Sequence, residues 1–161
     1  MSRKEGQPMA FELTSSAFKE GERIPDRYTC GGADLSPPLH WGVPPAATKS
    51  FVLIADDPDA PGGTWVHWVI YNLSLDLRGL PEGIPAEDHW LDGALQGLTD
   101  FKRVGYGGPC PPPGKPHRYY FKLYALDAAL NVKSRATKSQ VLEACKGHVL
   151  AEAQLMGRFG R

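Results

Sequence analysis

Two acidic residues and a histidine lie close together in the sequence and could do chemistry. Asp57 and Asp59 belong to the segment DPDAP, and His67 lies in the apolar run WVHWVIYNL that follows. An aspartate beside a histidine favours the charged form of the ring and fixes its tautomer. We therefore expect Asp57 and His67 to form one hydrogen-bonded unit, in a turn that its prolines hold rigid.

A second cluster is the stretch GYGGPCPPPGKPHRYYF, residues 105–121. Its glycines allow backbone amides to approach a ligand closely, and its prolines stiffen the loop. The loop leads into a strand that opens with His117, Arg118 and Tyr119. Alternation along a strand places His117 and Tyr119 on one face and Arg118 on the other. A rigid loop with exposed amides beside such donors is typical of an anion cradle.

Each of these residues also has an ordinary structural explanation. Asp-Pro turns are common connections, and a lone histidine in an apolar strand is more often a core residue than a ligand. Arg118 can pair with an aspartate for structural reasons alone. Cys110 is more typical of a packed loop thiol than of a nucleophile, because no cationic residue is adjacent to activate it. The argument for a site therefore depends on the occurrence of all these residues together in one chain and in this order.

The composition excludes several classes of function. Lys plus Arg and Asp plus Glu both number 18, so the formal net charge is zero. This argues against non-specific nucleic-acid binding and against a polybasic membrane anchor. No apolar run reaches the roughly 18–20 residues of a membrane-spanning helix. The first residues include no apolar signal-peptide core, so we expect a cytoplasmic protein.

The three cysteines are Cys30, Cys110 and Cys145, an odd number at wide spacing. This pattern favours reduced thiols in a cytoplasmic protein and leaves open one disulfide plus one free thiol.

Short apolar runs rich in β-branched and aromatic residues predict the strands that must position these side chains. Three are strong and two are weaker: Phe51–Ala55, Trp65–Leu73 and Arg118–Asp127, then Ala10–Ser15 and Pro37–Trp41. The segment 75–100 is expected to be irregular because two prolines interrupt it.

One helix is predicted, beginning after Thr137. Gln140 follows three residues later, which completes a capping-box pattern, and Gly147 is suited to end the helix. The tail that follows can return as a strand. A mostly β chain with one late helix and no β-α-β alternation predicts an antiparallel sandwich or a partly open barrel.

Four stretches, in this order, resemble the phosphatidylethanolamine-binding protein family, also called Raf kinase inhibitor-like proteins. They are YTCGGADLSPPLHW, DPDAP, WVHWVIYNL and GPCPPPGKPHRYYFKLYALD. The short length, the YGGPCPP stretch and the helix followed by GRFGR are similar to the bacterial and archaeal branch. The resemblance implies a mainly β sandwich, with a large central antiparallel sheet packed on a smaller one and one or two short helices. We expect one domain over residues 9–161, after a disordered extension of residues 1–8.

The resemblance also implies a small pocket for anions such as phosphate-type headgroups. The implied ligand-binding residues are Asp57, Pro61, His67, Gly108, Pro111, Pro112, His117 and Tyr119, with Asp59 and Arg118 as structural support. Animal members have a second histidine where this chain has Val66, and their C-terminal gating helix has no counterpart here. Their regulatory functions, including kinase inhibition, therefore transfer poorly.

The sequence thus predicts a binding protein for a small phosphate- or carboxylate-bearing ligand, without cofactor or metal. The alternatives are a hydrolase that uses Asp57, His67 and His117, and a kinase or protease inhibitor that acts by protein contact. No nucleophile elbow and no diagnostic metal spacing supports an enzyme. Neither nucleic acid nor integral membrane association is expected. A homodimer and an unidentified protein partner, which the protein would modulate, stay open.

Overall fold

The computed structural model describes residues 10–161 and contains eight strands and one α-helix among them. In chain order the elements are β1 (Leu13–Thr14), β2 (Leu39–Trp41), β3 (Ser50–Asp57), β4 (Trp65–Ser74), β5 (Gly79–Leu80), β6 (Leu95–Gln96), β7 (His117–Leu126), α1 (Lys138–Cys145) and β8 (Val149–Phe159). Two short 3₁₀ helices cover Asp26–Tyr28 and Leu91–Gly93. The predicted extension of residues 1–8 lies outside the described residues.

The strands form two antiparallel sheets. The smaller has the order β1-β2-β5, and the larger has the order β6-β4-β3-β7-β8. Every residue of β3 is buried, because the strand is central and both faces of its sheet are covered. The predicted mainly β fold, a large sheet packed on a smaller one, is confirmed.

Two apolar cores hold the layers together. The first lies between the sheets and includes Phe51, Leu53, Trp68, Phe121 and Leu123 from the large sheet, and Leu13, Leu39, Trp41 and Leu80 from the small one. The second lies under α1 and includes Val52, Ile54, Val69, Tyr71, Val141 and Cys145. Alternate residues of β3 thus enter different cores, as the period of two requires.

The helix begins and ends where the sequence predicts. The Thr137 side chain accepts a hydrogen bond from the Gln140 amide, and the Gln140 side chain accepts one from the Thr137 amide. Gly147 follows the helix with a φ of 80°, a conformation that glycine adopts without strain. The tail then returns as β8, and this prediction is also confirmed.

Two predicted strands are shorter in the structure. The first shrinks to Leu13–Thr14, because the chain before it turns with a hydrogen bond from the Glu12 amide to the Ala10 carbonyl. The second begins at Leu39, after two prolines that have no amide hydrogen to donate to a sheet.

The cysteines correct one prediction. Cys30 and Cys110 form a disulfide across 80 residues of sequence, and Cys145 is buried and free. The favoured set of three reduced thiols is therefore wrong, and one disulfide plus one free thiol is correct. The spacing gave no sign of the pairing, because folding brings the two Cα atoms to 5.4 Å. Among residues 10–161, no helix is long and apolar enough to cross a membrane.

Candidate functional site

A pocket of about 180 Å³ lies where β3 ends and where β4 and β7 begin. We call it the strand-end pocket. It is lined by Asp57, Ala60, Pro61, Trp65, His67, Phe101, Cys110, Pro111, Pro112, His117 and Tyr119. Seven of the eight predicted ligand-binding residues therefore come together here, and Gly108 is the exception.

Asp57 bonds to a different histidine from the predicted one. Its Oδ2 accepts a hydrogen bond from Nδ1 of His117 at 2.7 Å, and its Oδ1 accepts one from the Asp59 amide at 2.7 Å. The Asp57 side chain is only 4% exposed. The predicted Asp57–His67 unit is therefore wrong. Nδ1 of His67 bonds instead to the Gly107 carbonyl, and β7 supplies the histidine that meets Asp57.

His67 enters the pocket through a β-bulge. Ala55 pairs with Trp68 and Asp56 pairs with Val66, so His67 is an extra residue in β4. Val66 packs on the core under the helix, whereas Trp68 belongs to the core between the sheets. In a regular strand these two residues would share a face. Bulges re-aim side chains next to functional sites, and this one directs His67 towards β7.

The charge state of His67 follows from its surroundings. Its Nδ1 donates to the Gly107 carbonyl at 2.6 Å, and its ring meets those of Phe101 and Tyr119 edge-on. Burial lowers the pKa of His67 below its usual 6.5, against smaller opposing effects from the Gly107 bond and nearby carboxylates. The ring is therefore neutral at pH 7, contrary to the expected charged form. With Nδ1 donating, Nε2 of the neutral ring is an acceptor.

Tyr119 supplies a neutral hydroxyl. Burial, and after it the negative charge of Asp57, raises the pKa of Tyr119 well above its usual 10, while the charge of Arg161 opposes the shift. The phenol keeps its proton at neutral pH and can donate it in a hydrogen bond. Its ring is stacked on that of His117, with centroids 6.3 Å apart.

The predicted amide cradle near Gly108 is also wrong. The Gly108 amide donates to Oδ1 of Asp34 at 2.8 Å, and the Gly107 amide donates to the His67 carbonyl at 2.9 Å. Both donors are therefore used within the protein. A Cβ at position 108 would lie 2.3 Å from the Tyr28 carbonyl oxygen. Gly108 is thus required for close packing of the loop, and its role is to position the pocket wall.

Asp59 and Arg118 lie beside the pocket as a bidentate ion pair. The guanidinium donates to both carboxylate oxygens, at 2.8 and 2.9 Å, and the Arg118 amide donates to Oδ2 at 2.9 Å. These bonds lower the pKa of Asp59 to about 2. The geometry fits structural support, since the pair fixes the turn that carries Asp57 onto the start of β7.

Several residues of the site had no usable signal in the sequence. Phe101 directly follows the segment predicted to be irregular, and it forms a wall beside Trp65, with ring centroids 5.6 Å apart. Arg161 donates from Nε to the Pro111 carbonyl at 2.8 Å. Asp34 anchors the loop amide. These contacts depend on tertiary folding, because each joins segments far apart in the chain.

The arrangement can hold an oxyanion. Both oxygens of Asp57 are occupied by internal donors. His117 and Tyr119, whose hydroxyl interacts with Asp57, line the pocket beside this carboxylate. The aromatic rings of Trp65 and Phe101 form an apolar side of the pocket. Among residues 10–161, no group of three or more His, Cys, Asp or Glu side chains is placed to hold a metal ion.

Known proteins share this fold and sequence. Residues 14–160 match the family model described as phosphatidylethanolamine-binding protein. This chain belongs to the phosphatidylethanolamine-binding protein family. A relative named UPF0098 protein, from Methanothermobacter thermautotrophicus, is 51% identical over 151 residues, which cover 94% of this chain and 99% of the relative.

Two solved structures of family members are similar. One is described as a phosphatidylethanolamine-binding protein homologue, CT736 of Chlamydia trachomatis, and is 44% identical with a TM-score of 0.87. The other, E. coli YbcL, is described as a member of the mammalian family and is 35% identical with a TM-score of 0.87. Each match covers 94% of this chain and 98% of the other chain. The chain is therefore of the YbcL type, as its motifs indicated.

Proposed function

We propose that the strand-end pocket binds a small phosphate- or carboxylate-bearing ligand, with a phosphoethanolamine-like group as the model. The observation that carries this proposal is the Asp57–His117 hydrogen bond of 2.7 Å. It orients the imidazole and occupies the carboxylate oxygen that would otherwise repel an anion. In its imidazolium form His117 donates from Nε2 as well, and the Tyr119 hydroxyl adds a donor on the same face of β7.

The size of the pocket limits the ligand. A volume of about 180 Å³ is below the roughly 300–1,000 Å³ typical of sites for drug-sized molecules. It suits a phosphoryl or carboxyl group with a few attached atoms. Any larger remainder of the ligand would extend past Trp65, whose side is open to solvent.

The neutral state of His67 refines the ligand class. Its Nε2 accepts hydrogen bonds, so a dianion meets a lone pair there unless a proton is added. A phosphate monoester with one protonated oxygen supplies the missing donor. We therefore infer that the pocket prefers the monoanion, or that His67 takes up a proton as a dianion binds.

Binding is favoured over hydrolysis by the pocket chemistry. Cys110 is half of a disulfide and so offers no thiolate. The described residues that line the pocket include neither serine nor threonine, and the Tyr119 hydroxyl keeps its proton. A histidine with a carboxylate behind it is present, but the described residues that line the pocket offer it no side-chain nucleophile to activate.

Three earlier predictions stay predictions. They are modulation of a protein partner, a homodimer and a cytoplasmic location. The Cys30–Cys110 disulfide removes the argument for the cytoplasm that was based on reduced thiols.

Calorimetric titration with phosphoethanolamine tests the proposal. His117→Ala removes a hydrogen-bonding contact to a charged ligand, so we expect affinity to fall roughly 10- to 150-fold. His148 is a matched control, because it makes a similar 2.7 Å contact with Asp127 on the surface and does not line the pocket. His148→Ala should bind like the wild type. Equal binding by the wild type and His117→Ala would refute the assignment.

A further inference from the structure

We propose that the Cys30–Cys110 disulfide is a redox modification site in the wall of the strand-end pocket. Reduction by a small dithiol would release this wall and weaken ligand binding. The inference rests on the proposed function for its ligand readout. It is carried by the position of Cys110, which lines the pocket itself, and by the accessibility of both sulfur-bearing residues.

The disulfide is open to attack in the folded protein. Cys30 and Cys110 are both exposed, whereas Cys145 is buried. Thiol–disulfide exchange requires access of a thiolate to one sulfur. A small dithiol can therefore reach this bond without global unfolding, and it cannot reach Cys145 in the same way.

The disulfide joins the pocket wall to a separate segment. Cys110 is followed directly by Pro111 and Pro112, which line the pocket, and Cys30 belongs to the segment after the first 3₁₀ helix. Close to the disulfide, the wall is held by a hydrogen bond of 3.1 Å from the Cys30 amide to the Pro109 carbonyl. One residue after Cys110, the Pro111 carbonyl accepts a hydrogen bond from Nε of Arg161. Prolines 111 and 112 cannot donate backbone hydrogen bonds of their own.

The rest of the loop is anchored independently of the disulfide. The Tyr106 hydroxyl donates to the Tyr28 carbonyl at 2.7 Å, and the Gly108 amide donates to Asp34. Reduction should therefore leave the fold and the start of the loop in place. It should loosen the part from Pro109 to Pro112, which closes the pocket and would then be held only by the hydrogen bonds to the Pro109 and Pro111 carbonyls.

The exchange proceeds in two steps. A thiolate of the dithiol attacks one cysteine sulfur, the S–S bond breaks, and the other cysteine leaves as a thiolate that takes a proton. The second thiol of the reagent then attacks the mixed disulfide, releasing the first cysteine and closing the oxidised reagent into a cyclic disulfide. Two electrons pass from the dithiol to the protein, and both cysteines end as thiols.

The first test needs no ligand. The folded protein is treated with dithiothreitol, and the thiols are alkylated with iodoacetamide. We expect modification at Cys30 and Cys110 and protection of Cys145. Amide hydrogen exchange should then speed up at Cys30, whose amide donates to the Pro109 carbonyl, and leave β3 and β7 unchanged. A disulfide that resists reduction until the protein unfolds, or unchanged exchange at Cys30, would overturn the inference.

The second test measures affinity. Phosphoethanolamine should bind the reduced protein about tenfold more weakly, because the wall is no longer pre-organised. Reoxidation should restore the affinity, and the double variant Cys30→Ser/Cys110→Ser should resemble the reduced protein. Cys145→Ser, the matched control, should respond to the dithiol as the wild type does. Equal affinity in both redox states would overturn the inference. If phosphoethanolamine binds in neither redox state, the proposed function is refuted. The alkylation and hydrogen-exchange experiment then still decides whether the disulfide is a redox site.

Discussion

At the residue scale, the chemistry of the pocket depends on where the protons of two histidines lie. Nδ1 of His117 donates to the Asp57 carboxylate, and Nδ1 of His67 donates to the Gly107 backbone carbonyl. Both rings are oriented by hydrogen bonds that Nδ1 donates, and burial lowers the pKa of His67 and favours its neutral form. Nε2 of each ring therefore accepts when that ring is neutral and donates only when the ring is an imidazolium.

The pH dependence of binding should follow from this arrangement. Phosphoethanolamine loses its second phosphate proton near pH 6. Since Nε2 of neutral His67 needs a donor, affinity should fall between pH 5.5 and 8, as measured by calorimetry. Ethanolamine O-sulfate, which has no proton to lose in this range, is the control. If affinity for the sulfate does not change with pH, the proton belongs to the phosphate ligand; if it falls, the proton belongs to a pocket histidine, His67 or His117. Unchanged phosphoethanolamine affinity would contradict the inference.

Acid should destabilise the fold through His67. Its folded-state pKa lies below the unfolded value of about 6.5, so the unfolded chain binds more protons below that pH. The free energy of unfolding should therefore decrease as pH falls below about 6.5. Urea unfolding at pH 7.5 and 5 measures the change. Asp59 does not interfere, because its contribution is present above about pH 3.9 and is lost only as pH falls towards 2.

Matched variants separate this effect from general acid sensitivity. His67→Gln should flatten the dependence between pH 7.5 and 5, since the titrating group is gone. His148→Gln changes an exposed histidine and should keep more of the slope. The same slope in the wild type and in His67→Gln would show that burial of His67 is not the cause.

At the element scale, the strand ends and the loop of residues 105–112 build the pocket. The bulge in β4 aims His67, and close packing at Gly108 holds the loop on the segment around Tyr28. Gly108→Ala should destabilise the protein by about 1–3 kcal/mol, because the new Cβ must displace backbone. Gly62→Ala is the control, because a Cβ there meets nothing within 4 Å. Thermal or urea unfolding compares the two variants, and equal stabilities would contradict this role.

Regular elements were predictable from the sequence, and departures from regularity were not. The capping box at Thr137 and the alternation in β7 follow local rules, so their predictions are confirmed. The bulge at His67 depends on how two strands pair, which no local pattern encodes. For that reason the sequence indicated both histidines of the site but paired Asp57 with His67, whereas Asp57 bonds to His117.

At the scale of the whole molecule, the order of motifs along the chain can be recognised in the sequence, whereas contacts between distant segments cannot. The order of four motifs indicated the family and its fold, and family membership is now shown. The disulfide across 80 residues and the contact of Arg161 with the loop are consequences of the closed fold. Neither is encoded by neighbouring residues, so the sequence left one disulfide only as an open alternative without its partners, and the Arg161 contact was missed.

The disulfide should also contribute to global stability. Closing a loop of this length restricts the unfolded chain, so reduction should lower the free energy of unfolding by about 2–4 kcal/mol. Urea unfolding with and without dithiothreitol measures the loss. The variant Cys30→Ser/Cys110→Ser should match the reduced wild type and show no response to the reagent. If the oxidised and reduced proteins are equally stable, the crosslink does not restrict the unfolded state.

The most direct test of the pocket is a long-range ¹H–¹⁵N spectrum of the five histidine rings during titration with phosphoethanolamine. The ring nitrogens of His117 and His67 should shift together and saturate. Those of His148 should stay in place, although its 2.7 Å contact with Asp127 resembles that of His117 with Asp57. Unmoved signals of His117 and His67 at saturating ligand, or larger shifts at His148, would contradict the assignment of this pocket as the ligand site.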